Sequence, residues 1–299
     1  MILTGLMKMS SFVFFTLGDW GAFQQESINV LKNVAYQMNQ LSIYKNPRFI
    51  STLGDNFYER GVTSIHDPKW NNSWKDIFIN KYPNLQKIRW CATLGNHDYY
   101  GGYNSIEAQI NKSIMDNNWF LPSENYYFLD KETNSYFIHI DTCKIYPELY
   151  YETQLMISQR QINETLNYLE IILKRANRYN ANWIFVFGHY HIFSNGFYDN
   201  YEYMEKRLLP LLLKYNVDVY FCGHEHNFQV LEYKKLKLIV NGVGSYSNNV
   251  SCYNNNLSVD THYVSSNNGF TFHDVTKNKF TINFMNTCGE TEYKMEIAK

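Results

Sequence analysis

With 299 residues, 45% of them hydrophobic and 17% aromatic, the chain has ample material for a globular core, in one large domain or two small ones. A formal net charge of -1 excludes the global basic field that holds nucleic acid or an anionic membrane, so any phosphate must be bound by local charge. No apolar run is long enough to span a bilayer, and the cysteines, odd in number, do not make a disulfide framework.

The stretch 1–17 is apolar enough to raise the question of a signal peptide. Ser11–Leu17 runs straight into Gly18-Asp19-Trp20-Gly21, however, and reads as a retained strand. Over 26–41, Ile28, Leu31, Val34, Ala35, Met38 and Leu41 fall at helical spacing, which makes a strand, loop, helix unit. A second strand, 49–53, ends in Gly54-Asp55-Asn56-Phe57-Tyr58, and an amphipathic helix is expected over 70–82. A third, 88–94, delivers Gly95-Asn96-His97-Asp98.

The pattern then changes. Residues 126–129 and 135–141 read as an antiparallel hairpin, 145–159 as a Tyr-rich surface loop, and 161–179 as a helix with one apolar face. The earlier theme returns when 183–187 ends in Gly188-His189-Tyr190-His191. After a helix around 203–213, the run 217–222 ends in Gly223-His224-Glu225-His226. The last third reads as paired strands, 228–233 with 236–241 and 270–275 with 279–284, around an Asn- and Ser-rich loop over 246–268. No linker divides the chain, so residues 1–299 are taken as one domain. Cys91 and Cys222 sit in strand runs as small hydrophobes, whereas Cys252 and Cys288 are a candidate pair.

Strands alternating with helices predict a parallel or mixed sheet, in which functional groups gather beyond the carboxyl ends of the strands. Every glycine-polar motif lies there, and together they collect Asp19, Asp55, Tyr58, Asn96, His97, His189, His191, His224 and His226. Singly, each is ordinary turn or cap chemistry. Their joint occurrence after five strand-glycine exits, acidic first and histidine last, points to metal instead. A mixed oxygen and nitrogen set without thiolate suits iron, zinc or manganese.

These five ordered motifs resemble those of the purple acid phosphatases, specifically the small tartrate-resistant type among the calcineurin-like metallophosphoesterases. Gly21 stands where many calcineurin-like enzymes have a histidine, and Tyr58 then resembles the ligand that purple acid phosphatases use in its place. The resemblance implies an α/β fold, an αββα sandwich of two mixed β-sheets flanked by helices. It also implies a binuclear centre: Fe3+ on Asp19, Tyr58 and His226, a divalent Fe2+, Zn2+ or Mn2+ on Asn96, His189 and His224, and Asp55 between them. His97 resembles the family's substrate-facing histidine, which holds phosphate and protonates the leaving group. A second such histidine has no match downstream of Gly188, and His191 is the candidate to replace it.

The activity so implied is hydrolysis of phosphate monoesters at acidic pH by attack of metal-bound hydroxide. Small phosphomonoesters and phosphoproteins are the expected partners, with no nucleic acid and no membrane span, and the chain is expected to be monomeric. A secretory, vacuolar or lysosome-like compartment follows from the same resemblance. Two alternatives stay open: a scaffold, since parasite motor-complex anchoring proteins resemble this family, and a related phosphodiesterase or protein phosphatase. The loop 145–159 lies where small relatives carry a protease-sensitive repression loop, and it is read here as an ordinary surface excursion. Sequons at Asn71, Asn111, Asn163, Asn249 and Asn256 would suit glycosylation of a secreted protein.

Overall fold

The computed structural model describes residues 11–146, 155–248, 250 and 259–299. Pro147, the middle of the predicted 145–159 loop, Cys252, and the sequons at Asn249 and Asn256 lie outside these. In chain order the first half comprises β1 (Ser11–Leu17), α1 (Gln25–Lys45), β2 (Phe49–Thr52), a π-helical segment Trp70–Ile79, β3 (Arg89–Cys91), α2 (Asn96–Tyr99), α3 (Tyr103–Met115), β4 (Trp119–Phe120), β5 (Tyr126–Asp130) and β6 (Ser135–His139). The second half brings α4 (Gln159–Arg178), β7 (Trp183–Phe187), α5 (Glu202–Arg207), α6 (Leu209–Lys214), β8 (Val219–Cys222), β9 (Phe228–Tyr233) and β10 (Leu236–Asn241). The chain closes with β11 (Asp260–Ser265), β12 (Gly269–Thr276), β13 (Lys279–Asn286) and β14 (Thr291–Ala298).

The strands form two seven-stranded sheets, in the orders β14-β13-β12-β1-β2-β3-β4 and β11-β9-β10-β8-β7-β6-β5. Both are mixed, with β1 to β4 parallel in the first and β6, β7, β8 and β10 parallel in the second. The αββα expectation therefore holds. β1 shows why. Every residue after Ser11 is buried, with Phe12 and Phe14 in one core cluster and Val13 and Phe15 in the other. Between the sheets the Phe14 ring lies 5.0 Å from Phe49, 5.4 Å from Phe137 and 6.0 to 6.3 Å from Phe185, Phe187, Phe221 and Phe280. A strand buried on both faces needs such a continuous apolar run.

Helices cover the outer faces. α1 buries Leu31, Val34, Ala35 and Met38 and ends at Asn46 in the left-handed conformation, whose N–H donates to Ser42 O. α4 begins two residues earlier than expected because Ser158 caps it and Gln161 returns a hydrogen bond to the Ser158 N–H. The helix expected over 70–82 is a π-helix that packs Trp70 and Trp74 with Trp119, and Trp74 and Phe78 with Trp90. The helix expected around 203–213 is two, broken at Leu208 just before Pro210. The loop expected over 246–268 is corrected in part, since its 260–265 portion is β11, paired with β9. Among the described residues no helix is long and apolar enough to cross a membrane.

Candidate metal centre

The parallel strands release their carboxyl ends at one edge of the sandwich, and the five predicted motifs meet there. The approach is close enough to require glycine. Gly54 has φ +90, and a Cβ on it would lie 2.5 Å from His189 Nδ1, while a Cβ on Gly223 would strike the Asp19 carboxylate. Asp19, Asp55 and His224 themselves sit at φ 52, 51 and 64, a region that side chains rarely occupy without compensation. Backbone bonds tie the exits together: Asp19 N–H donates to Gly54 O at 3.1 Å, and Gly223 N–H to His189 O at 3.0 Å.

Two groups of donor atoms share Asp55. In the first, the Tyr58 hydroxyl lies 2.9 Å from Asp55 Oδ2, 3.3 Å from Asp19 Oδ1 and 3.2 Å from His226 Nε2. In the second, His189 Nε2 lies 2.8 Å from Asn96 Oδ1 and 3.5 Å from Asp55 Oδ1, and His224 Nδ1 lies 3.1 Å from Asn96 Oδ1 and 3.3 Å from His189 Nε2. Ligand atoms of Asp19, Asp55 and His189 fall within 4.8 Å of one another.

Outer hydrogen bonds aim these atoms inward. His189 Nδ1–H donates to Leu53 O at 2.8 Å, the Asn96 amide donates to the Tyr100 hydroxyl at 2.8 Å, and His224 Nε2 meets the Tyr201 hydroxyl at 2.8 Å. What remains facing the middle is Nε2 of His189 and Oδ1 of Asn96, two acceptors 2.8 Å apart, joined by Nδ1 of His224 when that ring carries its proton on Nε2 toward Tyr201. Such a set fits a cation, with the outer partners fixing tautomer and ring orientation.

The electrostatics make the same demand. Burial raises the Asp55 pKa, but His189 and His97 outweigh it and hold the carboxyl below its ordinary value. Burial, then the charges of Asp55 and Asp19, push the Tyr58 phenol well above its usual range, so that only a nearby cation would make it phenolate. Burial lowers His189, yet Asp55 and Asp19 raise it on balance. His224, buried beside His189, His191 and His226, falls well below its ordinary value. His226 is raised, because Asp19 overcomes the effect of burial.

His97 reaches the centre from its open side. Its backbone N–H donates to Asp55 Oδ1 at 2.9 Å, Nδ1 donates to Glu59 O at 2.7 Å, and Nε2 stands 4.0 Å from Asp55 Oδ2. The structure does not bring His191 to the same place. Its ring is fully buried, stacks 4.3 Å from Tyr201, and has Nε2 on Asp199 O at 3.0 Å, while burial lowers its pKa to about 4. That geometry sets the ring against Tyr201, which in turn contacts His224, and 5.9 Å from the His224 ring itself.

Several contributors were not singled out in the sequence. Asp98 accepts from Gly95 N and Asn56 N, Thr142 Oγ1 accepts from His189 N and Tyr190 N, and buried Glu225 accepts from Phe197 N and Tyr198 N. Tyr198 stacks 4.7 Å from His224. Asp98 and Glu225 stood inside the motifs and were legible in principle; Thr142 and Tyr198 carry no local signal.

The sequence model of the calcineurin-like phosphoesterase family matches residues 13–228. Tartrate-resistant acid phosphatase type 5 of Oryctolagus cuniculus is 26% identical over 302 residues, covering 96% of this chain and 90% of the relative. Purple acid phosphatase 17 of Arabidopsis thaliana is 32% identical over 244 residues, 78% of this chain and 68% of the relative. Among solved structures, GAP50, the anchor in the inner membrane complex of Plasmodium, matches with a TM-score of 0.82 at 27% identity over 96% of this chain and 89% of that one. Purple acid phosphatase PPD1 of yellow lupin shares the fold, with a TM-score of 0.68 at 15% identity over 97% of this chain and 54% of its own.

Proposed function

Because the chain belongs to the calcineurin-like phosphoesterases, and within them to the purple acid phosphatases, we propose that it hydrolyses phosphate monoesters at a binuclear metal centre. The observation that carries this reading is the division of one carboxylate: Asp55 Oδ2 faces the Tyr58 group and Oδ1 faces the His189 group. A ferric ion would be held by Asp19, Tyr58 and His226, a divalent Fe2+, Zn2+ or Mn2+ by Asn96, His189 and His224, and Asp55 would bridge them. When bound, the two cations supply positive charge to the phosphoryl oxygens and a water acidified toward neutral pH.

The chain's own residues do the rest. Asp19, Asp55 and Tyr58 bring enough negative charge to hold both ions without cancelling them, so a phosphate dianion is still attracted. The Nδ1 bond to Glu59 O fixes the His97 ring between Tyr58 and Tyr100, 4.3 and 4.6 Å away, and leaves Nε2 to donate a proton to the departing ester oxygen. His191, neutral and buried, supports Tyr201 behind His224.

Turnover of p-nitrophenyl phosphate, bis-p-nitrophenyl phosphate and phosphopeptides by protein reconstituted with iron and zinc tests the reading. Monoester hydrolysis alone or foremost supports it, and faster diester cleavage would make the chain a phosphodiesterase. One observation favours a second reading, a non-catalytic scaffold: the likeness to the Plasmodium anchor protein. Full occupancy by both metals without turnover of any ester would establish that reading. The intact donor set favours catalysis.

A further inference from the structure

The parallel strands that bring the candidate ligands together at their carboxyl ends start at the opposite end of the sandwich, and the turns there carry an unbalanced positive charge. Lys87 stands two residues before β3, Lys131 in the turn from β5 to β6, Lys234 and Lys235 in the turn from β9 to β10, and Lys277 in the turn from β12 to β13. The last lies at this end because Thr276 pairs with Ser11, where β1 begins. All five are exposed, and none is in an ion pair among the described residues. The carboxylates beside them are taken: Asp274 by Lys45 at 3.1 Å, Asp218 by Lys299 at 2.7 Å, Glu296 by Lys279 at 2.9 Å, Glu232 by Lys237, and Asp130 and Glu132 by Arg48. Asp260, across from Glu232 on the edge strand β11, is left to oppose five lysines.

In one sheet three strand spacings separate Lys277, beside β12, from Lys87, before β3; in the other, three separate Lys235, before β10, from Lys131, before β6. At about 4.8 Å between strands and about 10 Å between sheets, the lysines mark the corners of a face about 14 by 10 Å. The Trp183 Nε1–H bond to Thr276 O at 2.7 Å and the Arg48 bond to Glu132 at 2.6 Å join the two sheets along it. A single phosphate or carboxylate reaches one corner at most, whereas a plane of anions meets them all. Between the sheets at this end opens a cavity of about 280 Å³, walled by Phe12, Phe49, Phe120, Phe128 and Leu129, with Arg48 and Arg89 beside them. Tyr44 and Tyr179, 84% and 57% exposed, stand at the ends of α1 and α4 on the same side.

We propose that this face docks the protein on a membrane surface rich in anionic phospholipid. Lysines attract the charged headgroups, tyrosines favour the headgroup layer, and an apolar cavity edged by arginines matches a lipid's chain and head. A nucleic acid or an acidic peptide offers the charge but nothing for the cavity. Docked this way, the metal centre at the far end stays open to substrate from solution.

The test is co-sedimentation of the full, metal-loaded chain with vesicles of phosphatidylcholine, alone or with about a third phosphatidylserine. Binding to the anionic vesicles should be about tenfold tighter or more at about 0.1 M salt, and should fall steeply at about 0.5 M. Each basic residue close to such a surface contributes about fivefold. Lys87→Glu with Lys131→Glu, and separately Lys235→Glu with Lys277→Glu, should therefore each weaken binding about 25-fold or more. Lys32→Glu with Lys206→Glu, an equal change of net charge on exposed residues of α1 and α5, should weaken it much less. Circular dichroism of all three variants should match the wild type, since every replaced side chain is exposed. Equal binding to both kinds of vesicle, or an equal loss in all three variants, overturns the proposal. So does retention on immobilised polyglutamate without binding to the anionic vesicles, which would assign the face to an acidic protein.

Discussion

Tyr58 is the residue whose protonation depends most on an ion. Burial and two carboxylates keep its phenol neutral in the protein alone, so under the proposed assignment a ferric ion held there would take it as phenolate, which would give a visible charge-transfer band. Tyr58→Phe reconstituted with iron should lose that band, and a band left intact would remove Tyr58 as an iron ligand. His97 has a different signature. His97→Asn should slow an alkyl phosphate by on the order of a hundredfold, and p-nitrophenyl phosphate much less, because a good leaving group needs no proton. Equal losses on both substrates would assign His97 to phosphate binding only. These residues were legible because each follows a strand-terminating glycine. His191 follows one too, and only the Asp199 carbonyl and the Tyr201 ring, which no local pattern announces, turn it away.

At the scale of elements, the site depends on strands that stop abruptly. Gly54→Ala should strain a positive φ and push against His189, and the divalent ion should bind more weakly than in wild type by titration. Between the sheets, Phe14→Ala should cost about 3–5 kcal/mol in denaturant unfolding, since six phenylalanine rings pack around the hole it leaves. The inner strands were plain in the sequence, being apolar runs ended by glycine. The edges were not: β11 and β14 are largely exposed or half-buried, so their residues show little apolar alternation. α3 was missed because half of its buried set, Ser105 and Gln109 beside Ile106 and Ala108, is polar. Gln109 is buried there because it hydrogen-bonds Asp98 in the centre's support.

At the scale of the whole molecule, pH acts on stability through buried groups that pull in opposite directions. Asp141 is buried, bonded by the Tyr99 hydroxyl and Cys143 N–H, and burial raises its pKa to about 7 despite nearby Lys144. An unfolded Asp titrates near 3.9, so this group favours the fold fully only below about pH 4, and that contribution is lost as pH rises through about 7. The loss is about 4 kcal/mol at most. Asp141→Asn should therefore make the thermal midpoint rise more, or fall less, than in wild type between about pH 4 and 7, and an unchanged slope would remove Asp141 as a contributor. Buried His139, whose pKa burial lowers to about 3, acts in the opposite direction: its neutral form favours the fold fully above about pH 6.5, and that contribution is lost as pH falls from there toward 3.

The claim on which the rest depends is that one carboxylate serves two ions, and metal content measures it directly. Purified, reconstituted wild-type protein should hold two ions per chain, and Asn96→Ala should lose chiefly the divalent one. Asp55→Asn should be depleted in both. Retention of either ion at full occupancy in Asp55→Asn would contradict the shared bridge.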